Sequence, residues 1–304
     1  MSAAPSVSVV IATRDRPTLL RRAVRAVLAQ DHAGLVECVV VFDGTDVDPI
    51  DDMARDGAGP RQLRTVANAR TSGLAGARNT GAAAATGSYV AWCDDDDTWQ
   101  PAKLTRQLEA LQQSDARVAV AGIRVIFEDR STDRLPPAAV TRDVLLHGRA
   151  AEVHPSTVLV DAEALASIGP VDEAIPGSYG EDYDWLLRAA SVERIVGVRE
   201  PLVTVHWGAS LFADRWQTII DAIGYLTNKH PELLDDDANA ARLFGRIAFA
   251  HAALHQRGDA ARWAWRGVRR RPLEGRSYLA LAVASGVVNA STIQRRANRA
   301  GHGV

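Results

Sequence analysis

Four consecutive aspartates, Asp94-Asp95-Asp96-Asp97, follow the apolar run Tyr89-Val90-Ala91-Trp92-Cys93 and are closed by Thr98-Trp99. Carboxylates at this density repel one another and resist burial, so a strand end that carries them needs a compensating cation. Alternate residues of an extended chain share a face, which lets Asp94 and Asp96 aim at one point. Hard oxygen ligands converging there suit Mg2+ or Mn2+. The plainer reading of the same residues is a solvated acidic turn. A second acidic group, Glu181-Asp182-Tyr183-Asp184, opens a predicted helix reaching Ala190. Acids in a first helical turn stabilise a helix whatever else they do. The preceding Pro176-Gly177-Ser178-Tyr179-Gly180 reads as a mobile segment that presents these carboxylates to a cleft.

These clusters need elements to position them. Val7 to Thr13 is a β-branched run, read as a buried strand. Thr18 to Gln30 puts Leu19, Leu20, Ala23, Val24, Val27 and Leu28 on one helical face behind Pro17. Val36 to Phe42 and Leu63 to Ala67 read as strands, Gly73 to Ala85 as a helix, and Ser88 to Cys93 as a fourth strand. A helix over Pro101 to Gln113 and a strand over Arg117 to Phe127 follow. This alternation predicts an α/β fold with a mostly parallel sheet covered on both faces. In such sheets ligands bind at the carboxyl ends of the strands. Thr13-Arg14-Asp15, Asp43 and Asp94 to Asp97 all fall at such ends. After about residue 212 the chain reads as helices over Phe212 to Lys229, Asn239 to Gln256, Ala260 to Arg271 and Ser277 to Gly286, punctuated by Gly258-Asp259 and Pro272.

Taken in order, these segments resemble glycosyltransferase family 2. Val7 to Pro17 looks like the opening strand and its nucleotide-binding turn, and Val39-Val40-Val41-Phe42-Asp43-Gly44 like the second strand. Gly73-Leu74-Ala75-Gly76-Ala77-Arg78-Asn79-Thr80-Gly81 looks like the glycine-to-Arg-Asn segment. Asp94 to Trp99 looks like the DxD segment, and Glu181-Asp182 like the ED motif. The resemblance covers about residues 6–212 and implies a GT-A Rossmann-like mixed, mostly parallel sheet flanked by helices, with a C-terminal helical appendage. It divides the chain into a catalytic domain over 1–212, with a nucleotide-sugar half to about 100 and an acceptor half over 101–212, and a helical region over 213–304.

The resemblance also implies roles. The reaction is an inverting single displacement from a nucleotide sugar, UDP-linked by preference, to the hydroxyl of a glycan, lipid-linked or small-molecule acceptor. Asp182 is the implied general base, with Glu181 beside it. Thr13, Arg14, Asp15, Asp43, Arg78, Asn79, Asp94, Asp95 and Asp97 fall on the nucleotide-sugar side, with Asp43 at the base and Arg78 at the diphosphate. Asp96 is the implied ligand of Mn2+ or Mg2+. His206, at the end of Val203-Thr204-Val205, contacts the metal or a phosphate, or serves structurally. His154, Ser156, Trp99 and Tyr179 are acceptor-side candidates.

Rival classes leave their own signatures. Asp94-x-Asp96-x-Thr98 after an apolar strand also fits haloacid-dehalogenase-like phosphatases, with Asp94 as nucleophile. That class needs a lysine further along; only Lys103 and Lys229 exist, and its motif should follow the first strand. A sugar nucleotidyltransferase should carry a glycine-rich basic loop where Thr13 to Pro17 stands. A non-catalytic scaffold would have no need of carboxylates at every key position.

At 304 residues and 47% hydrophobic, the chain can bury a large core and is not disordered. Cys38 and Cys93 sit in apolar runs, consistent with buried free thiols in a reducing compartment. No secretory signal and no run of ~20 apolar residues is visible, so the expected location is cytoplasmic, with a peripheral place at the inner membrane face open. Residues 262–304 hold nine arginines and one acid, a net +8, while the remainder is −10, which disfavours a nucleic-acid binder. Arg262, Arg266, Arg269 and Arg270 cluster on one helical side, interleaved with Trp263 and Trp265, and Arg295, Arg296 and Arg299 follow. This basic tail fits a solvated face, an anionic membrane surface or self-association.

Overall fold

A computed structural model describes residues 4–53, 57–147, 153–206 and 215–299. The first half follows the alternation in the sequence. Strand β1 (Val7–Thr13), helix α1 (Pro17–Leu28), β2 (Val36–Phe42), β3 (Arg61–Ala67), α2 (Leu74–Ala84) and β4 (Tyr89–Asp94) succeed one another. Every residue of β2 is buried, as a strand covered on both faces requires. Helix α1 sets Leu20, Ala23, Val24, Val27 and Leu28 into the core, with Pro17 in its first turn. The strands lie in the order β3-β2-β1-β4, all parallel. Their register aligns Thr13 with Phe42 and Ala12 with Asp94, so the polar ends of three strands reach one level.

The second half comprises β5 (Thr98–Trp99), α3 (Lys103–Gln112), β6 (Val118–Phe127), β7 (Arg130–Arg134), α4 (Arg142–Leu146), β8 (Leu159–Asp161), α5 (Ala162–Ile168), α6 (Glu181–Val192) and β9 (Ile195–His206). The sheet continues β4-β8-β6-β9-β5, with β7 on β6. Among the described residues of this half only β6 and β9 run parallel; β8 is antiparallel to both β4 and β6. The expected parallel character therefore belongs to the first half, and the whole is a mixed sheet. The reason is local: Ser156 is fastened to the carboxyl end of β4, so the chain enters β8 from that end and must run back. Two apolar cores cover the sheet faces, one containing Ile11, Leu20, Val40 and Leu104, the other Val10, Val41, Trp92 and Trp185.

Helices α7 (Trp216–Lys229), α8 (Asp237–Ala253), α9 (Arg257–Arg270), α10 (Gly275–Ala284) and α11 (Ala290–Arg299) follow. The domain boundary near 212, and the expected start of the first of these helices at Phe212, lie outside the described residues. Gly258-Asp259 lies not between two helices but in the first turn of α9, where Asp259 favours the positive end of the helix dipole; the break falls earlier, after Ala253. Helix α11 has no sequence expectation, because Ile293 is its one buried large apolar residue and no stripe marks it.

Candidate active site

Asp94 closes β4 and Asp95, Asp96 and Asp97 form the turn to β5, and the protein supplies much of the compensating charge itself. Arg78 of α2, almost wholly buried, donates to Asp94 at 2.6 Å and to Glu181. Arg16 reaches Asp96 at 2.9 Å and Asp95 at 3.3 Å. Arg22 caps the backbone carbonyl of Asp96 at 2.6 Å. His154 lies 3.3 Å from Asp97. Thr13 donates its hydroxyl to Asp95 at 2.7 Å, tying the β1 end to the turn. Ser156 donates to Asp97 at 2.5 Å and accepts from the Asp94 amide at 2.9 Å.

These neighbours set the electrostatics. Burial alone would raise every carboxylate. Against that burial, Arg78 and His154 hold Asp94 below its ordinary range. Burial prevails at the others: Asp95 is pushed up to about 6 and Asp97 to about 7, with Asp94 adding repulsion to Asp97. Asp96 is also raised, by burial and by Asp94. Burial raises Glu181 to about 8 despite Arg78. Burial opposes the Arg78 charge, but Asp94, Glu181 and Asp182 outweigh it and hold Arg78 firmly protonated. A pocket with four carboxylates driven upward, Asp95, Asp96, Asp97 and Glu181, is one where an added cation is stabilising.

The described residues with the spacing to share a cation are Asp94, Asp97 and His154, whose ligand atoms lie within 4.8 Å of one another. Two carboxylates and an imidazole suit Mn2+ or Mg2+. This is not the expected pair of Asp96 and His206. Asp96 is engaged by Arg16 through one carboxylate oxygen and lies outside that convergent group. His206 closes β9 close enough to feel Asp96, but burial and Arg22 depress its pKa. Trp207, which follows it, lies outside the described residues.

The nucleotide-side candidates divide. Asp43 accepts from Asn68 at 2.8 Å and from the Gly73 amide at 3.0 Å, and pairs with Arg14 at 2.8 Å. Arg14 also donates to Ser72 at 2.7 Å, so Thr13, Arg14 and Asp43 form one polar rim over the ends of β1 and β2. Asp15 is exposed, with φ of 55° in the turn that follows. Asn79 points elsewhere: its amide donates to the Val171 carbonyl at 2.8 Å and to Glu173 at 2.7 Å, and accepts from the Val171 amide at 2.9 Å. It fastens α2 to the segment before α6 and has no capacity left for a phosphate.

On the opposite side, Glu181 and Asp182 begin α6. Glu181 is spent on Arg78, whereas Asp182 is half-buried and, among the described residues, makes no hydrogen bond. Asp184, a fallback candidate for the same chemistry, is wholly buried. It holds Arg188 at 3.0 Å, Lys229 at 2.8 Å and His230 at 2.8 Å, a clamp between α6 and α7. Tyr179 gives no free acceptor contact: Arg246 of α8 donates to its hydroxyl. Trp99 is buried, with the Lys103 ammonium 3.6 Å above its ring. That stacking removes Lys103 from the aspartates and with it the lysine a phosphatase would need. Arg16 and Arg22 were missed at the sequence level. Their signal was only that both flank the first turn of α1, which faces the aspartate turn solely in three dimensions.

The profile of Glycosyl transferase family 2 matches residues 8–166. ExoO of Rhizobium meliloti (strain 1021), a succinoglycan biosynthesis protein, is 32% identical over 154 residues, covering 46% of this chain and 43% of ExoO. The chain thus spans under half the length of the curated relatives first matched. Among solved structures, S. aureus TarS in complex with UDP-GlcNAc superposes with a TM-score of 0.57 at 16% identity, covering 98% of this chain and 92% of the other. The mannosyltransferase PcManGT from Pyrobaculum calidifontis, in complex with GDP-Man and Mn2+, gives 0.58 at 16% identity, covering 97% and 88%. At that identity the superpositions establish a common fold.

Proposed function

The chain belongs to glycosyl transferase family 2, and on that footing we propose that it moves a sugar from a nucleotide-sugar donor to an acceptor hydroxyl by single displacement, with inversion at the anomeric carbon. One observation carries this reading: Arg78 joins a donor-side carboxylate, Asp94, to an acceptor-side carboxylate, Glu181, while the Asp182 carboxylate beside them feels the Arg78 charge but makes no hydrogen bond among the described residues. The donor diphosphate lies toward Thr13, Arg14, Asp43 and the aspartate turn. Asp182 accepts the proton of the attacking hydroxyl as its oxygen bonds to the anomeric carbon and the bond to the diphosphate breaks. A carboxylate is a weak base for an alcohol, so alignment of the reactants supplies much of the rate. Asp94, Asp97 and His154 are the residues that would hold Mn2+ or Mg2+, whose charge would offset that developing on the diphosphate.

UDP is the proposed nucleotide, since TarS, of the same fold, binds UDP-GlcNAc; PcManGT binds GDP-Man, which makes GDP the alternative. The acceptor is a glycan, a lipid-linked glycan or a small molecule. Residues 1–212 form the catalytic unit in this reading, with the donor half to about 100, and 213–304 the helical appendage. Among the described residues no helix is long and apolar enough to cross a membrane. A screen of UDP-, GDP- and dTDP-sugars, read as nucleotide release with and without Mn2+, tests the proposal. Metal-stimulated release from one donor class supports it. No release from any donor, with or without acceptor mixtures, points to a scaffold.

A further inference from the structure

The helices after residue 215 bury one side and leave the other unmatched. Ala260, Ala264 and Gly267 are the buried side of α9, and Ser277 and Ala280 that of α10. The packing is close: a side chain at Gly267 would meet Ser277 Oγ at 2.4 Å and the Ala241 carbonyl of α8 at 3.3 Å. The outward sides combine two chemistries that rarely share a solvated face. On α9, Arg262, Trp265, Arg266 and Arg269 are exposed at helical spacing. Trp265 is 62% exposed, whereas Trp263 turns inward, 5.5 Å from Phe244 and under the Arg266 guanidinium. In the turn to α10, Leu273 is 90% exposed. That turn is held in place, because the Tyr278 hydroxyl donates to the Pro272 carbonyl at 2.6 Å. Tyr278 and Leu279 continue the exposed surface on the outward side of α10, and Leu281 is partly exposed at its flank.

The charge of this region decides what fits it. Arg262 and Arg270 are offset by Asp259 and Asp237, but Arg269 and Arg271 have no ion pair among the described residues. Residues 262–304 carry a net +8 against −10 for the rest. A second copy of the same face would set arginine against arginine, which disfavours it. Phosphate-backbone binding would use the arginines and leave Leu273, Leu279 and Leu281 in water. An anionic bilayer uses both: guanidinium groups meet the headgroups, indole prefers the interface, and leucine tips enter the acyl boundary. The acidic remainder of the chain would be repelled by the same surface, which orients the appendage toward it.

We propose that the outer face of α9, the Leu273 turn and the outer face of α10 form a docking surface for an anionic lipid bilayer. Docking of this kind brings the proposed active site to acceptors carried on lipid, though the surface itself stands independently of the catalytic reading.

The test is co-sedimentation of the full chain with vesicles of phosphatidylcholine alone and of phosphatidylcholine mixed with phosphatidylglycerol. Binding is expected only to the mixed vesicles at low salt, and it is lost at about 1 M salt, where the screening length falls to about 3 Å. Arg269→Gln and Arg271→Gln should each weaken partitioning about fivefold. Leu273→Asp should weaken it at least as much. All three residues are exposed, so circular dichroism and thermal melting should match wild type. Equal binding to both vesicle types, no binding at low salt, or binding that none of these substitutions weakens would each overturn the proposal. So would a dimer dispersed by Trp265→Ala in a protein that ignores vesicles, since that result assigns the face to a second copy.

Discussion

Arg78 donates to Asp94 at 2.6 Å from a position where its own side chain is almost wholly enclosed, and its other terminal nitrogen serves Glu181. One guanidinium thus couples the end of β4 to the start of α6, two segments more than 80 residues apart. Removing it strips the buried Glu181 of its ion pair and the part-buried Asp94 of its nearest cation. Arg78→Met should cost about 3–5 kcal/mol of stability, the usual penalty for stranding a buried charge. Denaturant unfolding measures this, and Arg78→Lys should recover only part, since ammonium cannot bridge both partners as a planar fork does. A loss below about 1 kcal/mol would show that the bridge contributes little.

Asp182→Asn should lower transfer by about 100-fold or more while donor binding persists, because general-base contributions are commonly of that size. Transfer rates and donor titration, measured on the same preparation, separate the two effects. Wild-type transfer in this variant would move the role to Glu181. Asp184 is not the next choice: Arg188, Lys229 and His230 hold it between α6 and α7, and Asp184→Asn should lower stability before it alters chemistry.

Metal binding should discriminate among the aspartates. Asp94→Asn, Asp97→Asn and His154→Ala are each expected to weaken Mn2+ affinity by about tenfold or more, as loss of one ligand or its close support does. Asp96→Asn should have a smaller effect, since Arg16 already engages that carboxylate. Titration calorimetry with Mn2+ alone provides the readout. The reverse ranking would return the site to Asp96, and turnover undiminished in excess chelator would remove the metal from the mechanism.

Lys103 gives a pH prediction away from the site. Burial lowers its pKa from the ordinary 10.5 to about 7, and its ammonium has no hydrogen-bond partner. The folded state therefore binds fewer protons than the unfolded chain between those values. Stability should rise with pH across the window from 7 to 10.5, by up to about 1.4 kcal/mol per unit. Below 7 the lysine is charged in both states and its contribution is flat. Lys103→Met should be more stable than wild type at neutral pH and lack the slope. Unfolding curves across this range check both, and an unchanged slope in the variant would refute the assignment.

The sequence by itself determined the strand-helix alternation to β4, because each element there buries its own stripe or run and each ends at a polar turn. It also marked Asp94 to Asp97, Asp43 and Glu181-Asp182, since clustered charge directly after apolar runs stands out whatever the fold. Only the tertiary structure decided how those residues are used. Asn79, adjacent to Arg78 in the chain, faces Val171 and Glu173, because neighbours on a helix point about 100° apart. Asp182 and Asp184 look interchangeable in sequence, yet α6 directs one toward Arg78 and buries the other against Lys229 and His230. Trp263 and Trp265 likewise part, one into the helical core and one into solvent. The antiparallel β8, the cluster of Asp94, Asp97 and His154, and the reach of Arg16 and Arg22 all depend on contacts between distant segments. Local pattern records which groups carry charge, but the partner that neutralises each is chosen by packing across the sheet, which no window of sequence contains.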